Sequence, residues 1–371
     1  MPSKIEDYGL IGDTQTCALV SRGGAIDWFC APSFDSDACF VALLGNDEHG
    51  TFAIRPAEEV RQARQRYRGD TLILETEFEC ERGKVRLIDF MPVSTERCDI
   101  VRIVEGLEGE VAMEVVIAPR FAFGKSRPWV EFDERGVTLT AGPDALRLST
   151  TMPLSRRGPD VEGLVTVRQG ERIGMTLTWF PSYREPPERL NAEQMLAETE
   201  RYWREWSGRC TYGGMHREAV MRSLLTLKAL TYGPTGGIVA APTTSLPEEA
   251  GGVRNWDYRF CWLRDATLTL HALMIGGYGE EADGFRRWLA RAAAGDPAQV
   301  QIMYGIRGER RLTEVELDWL PGYENSRPVR LGNDASRQFQ LDVYGEVFSA
   351  VYRSKGSAWA RTCPVRRSAR W

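Results

Sequence analysis

Apolar residues follow two different spacings along this chain. Up to Phe180 they come in short runs, many alternating with polar residues, as strands with one buried face require. The runs are Thr71–Cys80, Lys84–Phe90, Ile100–Val104, Val111–Ala118, Val137–Thr140, Leu146–Thr150, Leu164–Arg168 and Ile173–Phe180. Turn signals (Glu81-Arg-Gly, Glu134-Arg-Gly, Gln169-Gly-Glu) separate several of them. Upstream, Cys17–Arg22 and Ala25–Cys30 read as a hairpin closed by Gly23-Gly24, a pair suited to positive φ. That register sets Arg22 opposite Ala25, Ser21 opposite Ile26, Val20 opposite Asp27, Leu19 opposite Trp28, Ala18 opposite Phe29 and Cys17 opposite Cys30. Many short strands at such spacing predict a β-sandwich over residues 1–188.

After Pro181-Ser-Tyr-Arg-Glu-Pro-Pro187 the period changes. Asn191–Trp206 is charged and helical, with Met195, Thr199, Tyr202, Trp203 and Trp206 near one face. It reads as a linker helix within residues 189–212. Further helices are expected at about 214–232, 264–276, 279–294 and 334–352, joined by long loops rich in Gly, Pro and aromatics. Helix pairs whose loops gather at one end suit an α/α barrel, here over residues 213–352. In the last segment, 353–371, helical periodicity fails.

Composition narrows the function classes. A chain of 371 residues holds two domains, and 43% hydrophobic with 27% charged residues is ordinary for a globular protein. A net charge of −5 argues against a nucleic-acid partner, which needs a basic footprint. The first residues carry no apolar stretch of a secretory signal, and no run reaches the length of a membrane span. The eight cysteines form no Cys-x-x-Cys pair, and His49, His216 and His271 are scattered. No metal or other cofactor is therefore expected. A cytoplasmic setting, with Cys17 and Cys30 as free thiols, follows as the expectation.

Residues 253–270 concentrate the chemistry. Four aromatics, three arginines and two aspartates fall within Val253–Asp265, just where Leu263, Ala266, Leu270 and Leu273 set a helical period. Flat rings cover the apolar faces of a pyranose, and a guanidinium with a carboxylate holds its hydroxyls through directional hydrogen bonds. The competing reading makes Asp265 a simple N-cap and the rings core.

Asn255-Trp-Asp-Tyr-Arg-Phe-Cys-Trp-Leu-Arg-Asp-Ala266 resembles the sugar-binding motif of glycoside hydrolase family 15, the glucoamylase and bacterial trehalase family. Ile302–Ile306, Leu320–Asn333 and Gln340–Glu346 are similar to further family segments. Ile5–Asp13 and Gly24–Cys30 resemble the β-domain that precedes the barrel in bacterial members. The resemblance covers about residues 5–352 in consistent order. It implies a β-sandwich followed by an incomplete (α/α)6 barrel, and an inverting hydrolase acting on an α-glucoside oligosaccharide or trehalose. It also implies Tyr258 as a stacking ring, Arg264 and Asp265 as hydroxyl clamps, Trp262 as their support, and Arg327 and Arg330 on a loop beside the cleft.

Inversion needs a general acid and a general base, about 6.5–9.5 Å apart. The family's acid lies in a Trp-Glu motif downstream of the segment matching Gln340–Glu346, and its base later still. No Trp-Glu follows residue 265 here. Residues 353–371 carry six basic residues and no acid, and the resemblance is expected to end near Tyr352. A frameshift or premature stop accounts for such a tail; a basic nucleic-acid-binding arm is the competing reading. Glu309, Glu314, Glu316, Glu324 and Glu346 remain, none at a catalytic position of the family. The expectation is thus an enzyme by descent that lacks both catalytic carboxylates. The alternatives are a non-catalytic glucose-binding or interaction protein and an inactive degenerate fragment. Helix faces left without partners favour association, including as a homo-oligomer.

Overall fold

The computed structural model describes residues 2–94 and 96–352, so the expectations for the tail at 353–371 lie outside the described residues. Its first half is a β-sandwich whose two layers share one strand, Cys98–Ala118. The beginning of that strand pairs with Gly83–Phe90 and Arg172–Pro181; its end pairs with Thr51–Pro56 and Asp160–Arg168. The sequence pattern separates Ile100–Val104 from Val111–Ala118, but the structure joins them. Gly106 and Gly109 act as a bend within a continuous strand. A Cβ at Gly106 would meet the Arg168 carbonyl at 2.0 Å, and Gly109 has φ of 59°.

Between the layers lies one core. Ile26, Phe52, Ile54 and Val115 face Phe78, Leu87, Val104, Leu146 and Leu177, all buried. Several strands lacked a readable apolar face. Val60–Tyr67 is largely polar and exposed, and pairs with Leu74–Cys80 along one edge of its layer. There Arg66 meets Glu75 and Glu77.

The hairpin differs from expectation near its turn. Ala18 pairs with Phe29 and Leu19 with Trp28, but Val20 pairs with Ile26, leaving Asp27 as the extra residue of a bulge. The turn runs from Ser21 to Gly24, closed by the Gly24 N–H on the Ser21 carbonyl, so Arg22-Gly23 take its corners. The bulge turns the Asp27 carboxylate to the Tyr8 hydroxyl (2.7 Å) and the Thr51 hydroxyl (2.8 Å). Cys17 and Cys30 sit on neighbouring strands, buried, and both are free thiols.

Asn191 caps the helix Ala192–Ser207, its side chain accepting from Glu193 and Gln194 N–H. Met195 and Leu196 pack on the outer face of one layer, against Ile88, Phe90, Val101 and Ile103. Farther along the same helix, Trp206 stacks on Tyr278 with centroids 4.0 Å apart. The helical part continues as Arg217–Ala229, Leu263–Ile275, Gly279–Ala292 and Asp342–Tyr352. The last is shorter than its expected span. Asn333 caps a separate 3-10 turn at Asp334–Arg337, and the chain is irregular until Leu341.

The two parts also meet through loops. Leu317, Leu320, Tyr323 and Val329 pack on Trp28, Cys30 and Phe123, and Trp28 Nε1 donates to the Pro242 carbonyl at 2.9 Å.

One ion pair lies wholly inside the sandwich. Arg102 Nε and Nη2 donate to the two oxygens of Asp89 at 2.7 and 3.3 Å, and the remaining donors reach the Phe52 and Gly24 carbonyls. Burial pushes the Asp89 carboxyl above its ordinary value while Arg102 pulls it down. Arg102→Leu leaves that carboxylate unpaired and should cost about 3–5 kcal/mol at neutral pH in urea unfolding. The folded-state pKa then lies above the unfolded one, so the deficit shrinks as pH falls. Melts at neutral and mildly acidic pH check both statements; a deficit that grows on acidification would contradict the assignment.

Candidate substrate site

The motif at 255–265 is held by short strands before its helix begins. Asn255–Asp257 pairs with Thr244–Pro247, and Cys261–Trp262 pairs with Met303–Tyr304. Between these strands sits a buried pair. Asp257 accepts from Arg259 Nε at 2.9 Å and Nη2 at 2.8 Å, and from the Gly332 N–H at 3.1 Å. Arg259 Nη1 reaches the carbonyls of Phe34 (3.2 Å) and Ser36 (2.9 Å) in the sandwich. Burial alone would lower the Arg259 pKa; the Asp257 charge more than reverses this and holds it above its ordinary value. Asn333 Nδ2 adds a hydrogen bond to the Asp257 carbonyl. One pair thus joins the sandwich, the motif and the 329–333 loop.

The helix Leu263–Ile275 starts with Trp262 as its N-cap, and no side chain closes that cap. Asp265 is therefore not the cap; it stands in the first turn, half exposed. Arg264, also half exposed, donates Nη1 to Asp342 at 3.1 Å, and its Nε stands 3.9 Å from Asp265. Its guanidinium carbon lies 5.7 Å from the Trp262 ring centre. Tyr258 and Trp262 tilt toward each other at 45° with centroids 6.5 Å apart. Burial, followed by the Glu248 charge, raises the Tyr258 pKa, so its phenol stays protonated and able to donate. Tyr258, Trp262, Arg264 and Asp265 thus gather around the helix start.

The loop arginines divide. Arg330 is mostly buried and turned inward: Nη1 donates to the Val253 and Asn255 carbonyls, Nε lies 3.1 Å from Glu314, and the guanidinium covers Trp256 at 4.5 Å. Arg327 is exposed and has no ion pair among the described residues.

Three of the remaining acids are engaged locally. Glu309 accepts from the Arg307 N–H at 2.9 Å, Glu314 accepts from the Asp334 N–H at 3.2 Å, and Glu316 meets Arg330 at 3.4 Å. Glu324 is exposed, and Glu346 lies half buried on the helix Asp342–Tyr352. No group of three or more His, Cys, Asp or Glu is placed to hold a metal among the described residues.

Sequence reasoning missed three contributions. Asp257 and Arg259 read there only as part of a charge-rich motif, although they brace it. Asp342 lay inside the Gln340–Glu346 segment, where its acidity next to a helix start was the available signal. Glu248 holds Arg254 at 2.6 Å and closes the loop before Tyr258, a contact between exposed residues that no periodicity marks.

Residues 214–365 match Glycosyl hydrolases family 15, and residues 1–162 match the Trehalase-like, N-terminal family. The helical part is thus similar to the first of these families and the β part to the second. The match runs past Tyr352, where the resemblance was expected to stop. A trehalase of Thermoplasma volcanium is 36% identical over 356 residues, covering 94% of this chain and 57% of the relative. A trehalase of Mycolicibacterium smegmatis is 34% identical over 379 residues, with 94% and 56% covered. The chain therefore spans somewhat over half the length of these relatives. A bacterial glucoamylase complexed with acarbose superposes with a TM-score of 0.61 at 14% identity, over 83% of this chain and 53% of that one. That likeness shows the fold: a β part followed by helices related to an α/α barrel. No helix among the described residues is long and apolar enough to cross a membrane.

Arg259→Lys keeps the charge of the brace but loses its two-pronged grip. Stability should fall by about 1.5–3 kcal/mol in urea unfolding. The Gly332 amide should lose protection from hydrogen exchange. Unchanged protection at Gly332 would show that Asp257 does not depend on Arg259 for its position.

Proposed function

We propose that this chain binds an α-glucoside, with trehalose as the first candidate, through Tyr258, Trp262, Arg264 and Asp265. The reading rests on one observation: two tilted rings, a half-exposed guanidinium and a half-exposed carboxylate share the start of one helix. The rings offer apolar faces, and the polar pair offers donors and acceptors to neighbouring hydroxyls. Trehalose is favoured over starch-like oligosaccharides because the relatives described above are trehalases. Arg330 supports this surface through Trp256, and Arg327 is exposed on the same loop. By descent the reaction is hydrolysis of an α-glucosidic bond with inversion.

The same reading holds that residues 1–371 supply neither the general acid nor the general base. Glu309, Glu314 and Glu316 hold loop amides and arginines, which is what structural carboxylates do. A carboxylate that protonates a leaving oxygen has to face a second one across the sugar. The engagement of these acids also favours a second reading, a glucose-binding protein without turnover.

Calorimetry and glucose release test both readings together. Trehalose should bind, and Asp265→Ala should weaken binding by about 1.5–3 kcal/mol, as for a hydrogen bond to a charged group. Maltose, maltotriose and trehalose should release no glucose above background. Release that disappears in Asp265→Ala would mean that an acid within this chain performs the chemistry. No trehalose or glucose binding by a folded protein would remove the sugar site itself.

A further inference from the structure

Arg264 occupies an awkward position. It is the second residue of the helix Leu263–Ile275, where the helix dipole repels a cation. Its side chain also lies beside the start of the helix Asp342–Tyr352, which packs on its own. Two helix N-termini therefore face one guanidinium. Two carboxylates offset them: Asp265 in the first turn of one helix and Asp342 as the first residue of the other.

The two carboxylates are not equivalent. Asp342 Oδ2 accepts from Arg264 Nη1 at 3.1 Å, a charge-assisted hydrogen bond. Asp265 stands 3.9 Å from Nε, beyond hydrogen-bond range. A guanidinium carries five N–H donors, and Asp342 takes one of them. With one edge anchored, the group rests near Trp262 and keeps donors on its other edges for a ligand. Asp265 is left to accept from a hydroxyl.

We propose that Asp342 is the positioning residue for Arg264, fixing the guanidinium so that its free edges and the Asp265 carboxylate meet neighbouring hydroxyls of one sugar ring. This rests on the sugar-binding reading of the site. It also links the loop and helix around residue 342 to the motif at 258–265. An isolated, half-exposed ion pair is worth little to stability, so the effect of Asp342 should appear in binding rather than in folding.

Two readouts test it. In calorimetry with trehalose, Asp342→Ala should lose about tenfold in affinity. Asp342→Glu should recover part of that loss. Asp342→Ala should add nothing further in an Arg264→Ala background. The second readout needs no ligand: the Arg264 Nη–H resonances at low temperature, assigned by their absence in Arg264→Ala, should exchange faster with water in Asp342→Ala, which removes the acceptor of Nη1. The proposal is overturned if Asp342→Ala binds within about twofold of wild type while Arg264→Ala is weakened. It is equally overturned if the Arg264 resonances are unaffected. If the wild-type protein binds no sugar, the functional reading fails, and the exchange measurement alone decides whether Asp342 positions Arg264.

Discussion

The site depends on a buried ion pair that never reaches its surface. Asp257 and Arg259 are two residues apart, the spacing that places both side chains on the same face of an extended segment. That face is turned into the joint between sandwich and helices. A buried pair of this kind is not by itself a large source of stability, because desolvation offsets most of the attraction. Its value here is geometric. Beyond their mutual hydrogen bonds, the two residues reach different pieces of chain: Arg259 meets Phe34 and Ser36 in the sandwich, and Asp257 meets Gly332 and Asn333 in the loop after the motif. Removing either partner leaves a charge in a place water does not reach.

With that joint fixed, the alternate residues of the same motif face the other way. Trp256, Tyr258 and Trp262 are only partly buried, and Tyr258 and Trp262 lean together. The arrangement follows from strand alternation before the helix and from helical spacing after it. Arg330 continues the division of labour from the neighbouring loop. Its guanidinium covers Trp256 and binds the backbone at Val253 and Asn255, so it stiffens the strand that leads into Tyr258.

Much of this was legible in the sequence, for reasons specific to each element. Apolar alternation marked Lys84–Phe90 and Ile173–Phe180 because one face of each is core. It failed for Val60–Tyr67, whose partners are charges on the next strand rather than a hydrophobic layer. Ile100–Val104 and Val111–Ala118 read as two separate runs; Gly106 and Gly109 between them permit close backbone approach within one long strand. Asp27 could not be seen as a bulge, since its partners Tyr8 and Thr51 come from strands whose pairing the hairpin alone does not reveal. The cluster of Tyr258, Trp262, Arg264 and Asp265 was visible because it is contiguous. Asp342 was not, because only the packing of two helices brings it to Arg264.

A structure of the protein with trehalose or glucose bound tests the central claim most directly. The account predicts a glucose ring against Tyr258 and Trp262, with adjacent hydroxyls on Arg264 and Asp265, and with Asp257 and Arg259 unmoved beneath it. A sugar bound elsewhere, or held at this helix start without contact to Arg264 and Asp265, would contradict it.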